Sequence, residues 1–365
     1  MGLTPPETAP RMMLFGLDDI EPLAVGSAVL GSGGGGNPYV GALLLRSSME
    51  AKGLNKISVT PFDQIDESDF LICSAGMGSP AIGIEKLPTY TDHLRAFRGL
   101  ESYVGRKATL VSPIEIGGIN SLVPLVVASQ TGLPVADGDG EGRAFPELQM
   151  TTLTGYGLSA SPVCLAEERG NTLIINGISD IWVERIARAA TVTFGGRAYV
   201  AIYPLEGRDY LRGAIPNSLS HAVNIGRSLL EGIQHKNAED ALVESCDAKL
   251  IFVGKVVDVK RYNTRGFAVG YTKVEGLDDY AHDIMKVSFQ NEYLLAETGG
   301  ARGERRRAAV TPDIISIHDM ETLLPITTDS LRYGQRCKVF SIPVSRKWEF
   351  PGADELVGLK AFKLE

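Results

Sequence analysis

Three stretches of this chain gather residue types that could do chemistry. The first is Gly31-Ser32-Gly33-Gly34-Gly35-Gly36-Asn37-Pro38. Backbone amides can converge on an anion where no Cβ blocks the approach, and a following helix adds its positive end. Gly33, Gly34, Gly35 and Gly36 are therefore candidates for holding a substrate carboxylate, amide or oxyanion. A phosphate group and a plain tight turn are the other readings. No Gly-Lys-Ser or Gly-Lys-Thr closes the loop, and the strand and glycine spacing of a dinucleotide site are missing.

The second stretch is Ser112-Pro113-Ile114-Glu115-Ile116-Gly117-Gly118-Ile119-Asn120, where a strand pattern ends in a carboxylate and a Gly pair leads to an amide. A Glu115 desolvated in a cleft could donate or accept a proton near neutral pH. Asn120 could bind substrate, although helix capping explains it equally well. The third is Asp137-Gly138-Asp139-Gly140-Glu141-Gly142-Arg143-Ala144-Phe145-Pro146-Glu147, with four acids and one guanidinium in eleven residues. Oxygen ligands such as Asp137, Asp139 and Glu147 leave a divalent cation open. The spacing does not continue as a calcium-hand loop, so no cofactor is expected from it.

Weaker markers complete the set. Glu85-Lys86 follows a Gly-rich loop and reads as a surface ion pair or as a substrate-facing Lys86. Cys73 ends a strand with no histidine nearby in sequence, which favours a buried small hydrophobe over a nucleophile. The histidines show no HExxH or clustered Cys/His spacing.

The elements that must position these loops follow from periodicity. Leu17–Leu30 reads as a short helix with Asp18 and Asp19 in its first turn. A second starts at Pro38 behind the cap Asn37 and buries Leu43, Leu44, Leu45 and Met49. Strand candidates at 57–59, 70–73, 108–112 and 133–136 alternate with helical segments within 85–99 and over 120–130. Further on come a strand at 173–175, a helix at 178–190 with Trp182 on its core face, a strand at 199–203 and a helix near 219–233. Short apolar runs between helices predict a mainly parallel sheet covered on both faces, with its site in the loops beyond the strand ends. From Lys249 the texture changes to strands at 250–259, 267–274, 285–290, 309–317 and 337–342. The expected organisation is an α/β amino-terminal domain over 11–245 and a β-rich carboxy-terminal domain over 246–365.

Composition bounds the partners. At 44% hydrophobic and 22% charged the chain is an ordinary globular one, and its formal charge of −8 disfavours a nucleic-acid surface. The one basic cluster, Arg302 and Arg305 to Arg307, precedes a strand-like run without aromatic stacking residues and reads as a solvated hairpin. No run of apolar residues is long enough for a membrane span, and no signal-peptide pattern is present. Four scattered cysteines read as free thiols, so the expected location is cytoplasmic. Uncovered strand edges in the β-rich part would permit a homo-oligomer, unless the sheet closes.

These residues also resemble a known family. Gly31–Gly41, Glu85–Lys86, Glu115–Asn120 and Leu133–Met150 carry the likeness, with Gly266-Phe267, Phe289–Glu292, Thr311–Ile315 and Arg332–Arg336 in the β-rich part. They are similar to the family named for S-methyl-thiohydantoin desulfurase, over roughly Ile20 to Trp348. The run from Gly142 to Met150 is the most specific piece, while Glu141 departs from the apolar residue common between those glycines. The resemblance implies an α/β domain followed by a β domain related to those of hydantoinase and oxoprolinase systems. It implies a small cyclic amide or thioamide as partner, and replacement of a ring methylthio group by oxygen with release of methanethiol. On that chemistry Glu115 or Asp137 would be the base, and Asp139 or Glu147 would hold water or its partner. Arg143 and Lys86 would position the ring, and the glycine amides would offer an anion pocket. The alternative is an accessory subunit that binds a ligand without turnover.

Overall fold

The computed structural model describes residues 12–78, 89–264, 266–300 and 305–364. The expected Lys86 and Glu85 lie outside the described residues, as does Arg302. Two sheets organise the chain. The first contains β1 (Met13–Gly16), β2 (Lys56–Thr60), β3 (Phe70–Gly78), β4 (Leu110–Pro113) and β5 (Val135–Ala136). A short β6 (Gly138–Asp139) leaves it to pair elsewhere, and β7 (Val163–Ala166), β8 (Thr172–Ile175) and β9 (Arg197–Glu206) complete it. The strand order is β1-β2-β5-β4-β3-β9-β7-β8.

This sheet is mixed. The parallel strands that the alternating pattern predicts, β2, β5, β4 and β3, form its centre, and antiparallel pairs extend it on both sides. One face is covered by the helices Ile20–Leu30, Pro38–Ala51, Tyr90–Val104, Val123–Thr131 and Ser218–His235. Helices Ile20–Leu30 and Ser218–His235 cross backbone to backbone at Gly26 and Gly226, where a Cβ on either would lie 1.8 Å from a carbonyl oxygen of the other helix. The expected cap is present, since Tyr39 N donates to Asn37 Oδ1 at 3.0 Å and Pro38 opens the helix. Leu45 and Met49 are buried there, but Leu43 is exposed, because the helix turns that side to solvent.

The helix Asp180–Thr193 covers the other face, and it corrects the reading of Trp182 as core. Trp182 is 46% exposed, and Ile178, Ile181 and Ile186 are exposed beside it. The buried side carries Val183, Ala187, Glu184 and Arg188 instead. The reason is local: Glu184 and Arg188 form a 2.7 Å ion pair whose free ends hold the 146–148 backbone, so this polar pair faces inward.

A two-strand ribbon of β6 and β10 (Ile215–Pro216) leads toward the second sheet. That sheet comprises β11 (Lys249–Thr264), β12 (Phe267–Gly276), β13 (Asp283–Gln290), β14 (Glu292–Gly300), β15 (Arg306–Val310), β16 (Ile314–Asp319) and β17 (Arg336–Ile342). All its pairings are antiparallel, in the order β15-β14-β13-β12-β11-β17-β16. The expected strand over 309–317 is two, broken at Thr311–Asp313, and β7 and β14 were not expected at all. Bulges in four of the pairings curl the sheet into a half-barrel around Phe252, Val287, Phe289, Tyr293 and Val339. Its two end strands, β15 and β16, are joined by the short segment Thr311–Asp313.

Candidate active site

The gap between the curled ends of the second sheet is filled by the amino-terminal glycine loop. Ser32 lies fully buried between β14 and β16. Tyr293 N donates to Ser32 O at 2.6 Å, and Ile315 N donates to Ser32 Oγ at 3.1 Å. Thr328 N adds a bond to Gly33 O at 2.8 Å. The glycines are required here by proximity and by conformation together: Gly33, Gly35 and Gly36 have φ between 70° and 78°. A Cβ on Gly33 would meet the Tyr293 ring at 2.2 Å, and one on Gly34 would meet Glu292 Oε1 at 2.0 Å. The loop is thus a seam between the two domains, with Gly35 and Gly36 presented on one side.

Two further loops lock onto this seam. Ile119 N donates to Gly35 O at 2.9 Å, and Gly117 N donates to Arg143 O at 3.1 Å. Arg143 is fully buried and spends its guanidinium on carbonyls, with Nη1 bonding Pro312 O at 2.6 Å and Asp313 O at 2.8 Å, and Nε bonding Ala144 O at 3.0 Å. It stacks on Phe145, which meets Trp348 edge to face, and Trp348 Nε1 donates to Glu141 O at 2.9 Å. The 137–150 loop is therefore gripped by both domains and by the carboxy-terminal segment.

A cleft opens where these loops meet the end of β3. Its wall is formed by Ala75 to Gly78, Gly35, Gly36, Ile119 and Leu148, and its polar lining includes Glu115, Asn120, Glu141, Glu147, Arg188 and Glu292. The free volume of about 110 Å³ exceeds the roughly 15 Å³ that one water needs, so a small ring or several waters can enter. Glu115 is 6% exposed, and Glu141 and Glu292 are each 2% exposed. In each of the three, Oε2 is buried without a hydrogen-bond partner.

The other oxygens differ in their surroundings. Asn120 donates to Glu115 Oε1, and its amide is fixed by Gly76, whose N donates to Oδ1 at 2.7 Å and whose O accepts from Nδ2 at 3.1 Å. Glu292 Oε1 accepts from Gly35 N at 3.2 Å. Burial is the largest influence on all three acids and raises each. Glu115 and Glu141 stand well above the carboxylate range; Glu292 and Asp139 push both further, and Glu115 also pushes Glu141. Glu292 is raised to about 8, with the Arg143 guanidinium and the Gly35 amide opposing burial.

The remaining expected residues are placed as follows. Asp139 does not line the cleft; its Oδ2 accepts from Ile116 N at 2.9 Å, Glu141 N at 3.1 Å and Gly142 N at 2.8 Å, so it ties the second loop to the third. Burial raises it to about 7 against those three donors. Asp137 also lies off the cleft, where Oδ1 accepts from Ser220 N at 3.0 Å and steadies the first turn of the helix Ser218–His235. Glu147 lines the cleft with its Oε2 bonded to Gln149 at 2.6 Å. Asp137, Asp139 and Glu147 are not brought together, and among the described residues no group of three or more His, Cys, Asp or Glu is arranged to hold a metal ion. The four cysteines are free and buried, with the Cys73 thiol pushed up to about 12 by burial.

Sequence reasoning did not single out Glu292 or Arg188 for the cleft, and it counted Glu141 only as part of the acidic loop. The signal for Glu292 was a polar turn, Gln290-Asn291-Glu292, set between two apolar runs.

Among the described residues no helix is long and apolar enough to cross a membrane. Among curated proteins, none matches the chain significantly. A crystal structure of a protein from Chromobacterium violaceum is similar throughout, with a TM-score of 0.75 and 25% identity, covering 96% of this chain and 97% of that one. Two family models also match, the S-Me-THD-like N-terminal domain over residues 18–177 and the S-Me-THD-like C-terminal domain over residues 178–365. The two models meet before β9, which completes the first sheet, so their division differs from that between the sheets. Together they span the chain from residue 18 to its last residue, and the protein belongs to the S-Me-THD-like family.

Proposed function

We propose that the protein is a hydrolase acting on a small cyclic amide or thioamide, and that it replaces the methylthio group of an S-methyl-thiohydantoin ring with oxygen. The observation that carries this reading is the set of three nearly solvent-free glutamates around one small cleft, each with an unpartnered carboxyl oxygen. Displacement at a ring carbon bonded to nitrogen and sulfur needs a proton taken from water and protons given to nitrogen and sulfur. Carboxyl groups whose ionisation is moved toward or above neutrality by burial are suited to both tasks.

Glu115 is the proton carrier beside the ring, and Asn120 is its positioning residue, because the Asn120 amide is fixed on both sides by Gly76. Apolar Ile119, Met77 and Leu148 give the ring faces something to pack on. Asp139 acts through the backbone, holding Glu141 at the cleft by its amide.

The test is thiol release from an S-methyl-thiohydantoin by the purified chain, followed with a thiol-reactive dye. Methanethiol and the corresponding hydantoin are expected in equal amounts. Release only after a second protein is added would assign an accessory role, and no release under either condition would remove the proposal.

A further inference from the structure

Of the four glutamates that line the cleft, three, Glu115, Glu141 and Glu292, keep a buried carboxyl oxygen without a partner, and the reaction proposed above needs them in unlike states. We propose that Glu292, supplied by the carboxy-terminal domain, takes the proton from the attacking water, while Glu115 and Glu141 on the opposite loops carry the protons given to the ring nitrogen and the departing sulfur. This assignment rests on the hydrolytic reading of the cleft.

The geometry separates the three. Glu292 lies against the backbone of the glycine loop, close enough that a side chain on Gly34 would collide with it, and its Oε1 receives the Gly35 N–H. The Arg143 guanidinium is the strongest favourable charge on it, with Arg188 adding to that. Glu115 has neutral donors, the Asn120 amide and the Phe145 backbone, and faces the negative groups Glu292 and Asp139. Glu141 faces Glu115, Asp139 and Glu292. A single negative charge shared among the three therefore rests best on Glu292. That leaves Glu115 and Glu141 protonated, so the unpartnered Oε2 atoms of those two are hydroxyl donors, whereas Oε2 of Glu292 is an acceptor. The charges agree, since burial raises all three, Glu292 to about 8, and at Glu292 the Arg143 guanidinium is the leading influence opposing burial.

The proton count closes. Water oxygen bonds to the ring carbon as one of its protons passes to Glu292, and Glu115 protonates the ring nitrogen. The carbon–sulfur bond then breaks with its electron pair going to sulfur. Glu141 protonates the thiolate, and the hydroxyl proton of the addition intermediate returns to Glu115. One water is consumed, one methanethiol leaves, and a proton shift from Glu292 to Glu141 restores the starting state. No oxidant or reductant enters.

The test combines infrared titration of protonated carboxyl groups between pH 6 and 10 with steady-state kinetics on an S-methyl-thiohydantoin, in the wild type and in the near-isosteric variants Glu292→Gln, Glu115→Gln and Glu141→Gln. Circular dichroism checks folding, and Glu292→Asp provides a second, shorter carboxylate. A carboxyl component that disappears with a midpoint near pH 8 is expected in the wild type and missing only from Glu292→Gln. In that variant kcat/KM is expected to fall by about 100-fold or more with the acid limb of its pH profile abolished, and Glu292→Asp is expected to recover part of both. Persistence of the pH 8 component in Glu292→Gln, or turnover within threefold of wild type, overturns the assignment. A wild type that releases no thiol defeats the hydrolytic reading, and the infrared titration then still decides which of the three glutamates ionises first.

Discussion

Asn120 grips both polar groups of Gly76 at once, accepting its N–H at Oδ1 and donating to its carbonyl from Nδ2. Because the remaining amide hydrogen goes to Glu115, one side chain couples the end of β3 to the carboxyl group beside the cleft. Replacing it by Ala removes three bonds, a loss of about 1 to 3 kcal/mol in stability for each group left buried without a partner. The expected kinetic result of Asn120→Ala is a fall in kcat exceeding the change in KM, with the pH profile displaced as Glu115 loses its donor. Thermal denaturation and a pH series check this, and a change confined to KM would place Asn120 at the substrate instead.

Gly34 offers a sharper discrimination, because its backbone is not in the left-handed region and the objection to a side chain is purely spatial. A methyl group there meets the carboxyl of Glu292 at 2.0 Å. Gly34→Ala is expected to keep the fold while displacing Glu292, giving a loss of activity similar to that of Glu292→Gln. By contrast Gly53→Ala meets nothing within 4 Å but has φ of 63°, so it is expected to cost about 1 kcal/mol of stability and leave turnover unchanged. Paired melting curves and thiol-release rates separate the two effects.

Periodicity showed the helices and the centre of the first sheet because their burial is local and repetitive: the cap Asn37-Pro38 and the apolar runs of β3 and β4 signal themselves within a few residues. It failed where a long-range contact decides which side faces inward. Trp182 is outside because Glu184 and Arg188 have backbone partners 36 and 42 residues away, which no helical period records. The loops at 31–36, 115–120 and 137–147 were recognisable by composition, and they do pack together. Which acids line the cleft was not recognisable, since Asp137 and Asp139 are turned toward backbone amides while Glu292 arrives from another domain.

Arg143 shows how much of this packing depends on one buried charge. Its guanidinium satisfies the carbonyls of Pro312, Asp313 and Ala144, and it balances the acids of the cleft. Arg143→Met keeps the apolar stem over Phe145 but strands those carbonyls and removes the cation. A loss of about 3 to 5 kcal/mol is expected. Chemical denaturation measures it; a variant as stable as wild type would mean that water replaces the guanidinium without penalty.

Trp182 and its neighbours predict the opposite outcome. With nearly half its surface in solvent and Arg185 stacked on its ring at 5.3 Å, Trp182 supports no interior packing. Trp182→Ala is expected to change stability by less than about 1 kcal/mol, as for other surface substitutions. A loss of about 3 to 5 kcal/mol, the range for a core tryptophan, would show that this side of the helix is covered in solution.

The acids of the cleft also set how stability varies with pH. Glu115, Glu141 and Glu292 all have native pKa values raised above their unfolded ones, so the native state binds more protons than the unfolded state between the two. Their contribution is therefore greatest below the unfolded value near 4.3 and declines as pH rises, at up to about 1.4 kcal/mol per pH unit for each group. Other acids, such as Glu101, are lowered and act in the opposite sense, so the wild-type profile alone mixes the two. The difference between Glu141→Gln and wild type isolates one group. It is expected to be small near pH 4.5 and to grow steadily in favour of the variant toward pH 8, because glutamine has no proton to lose. Urea denaturation at several pH values measures that difference, and a flat difference across the range would show that Glu141 ionises in the native protein as it does in the unfolded chain.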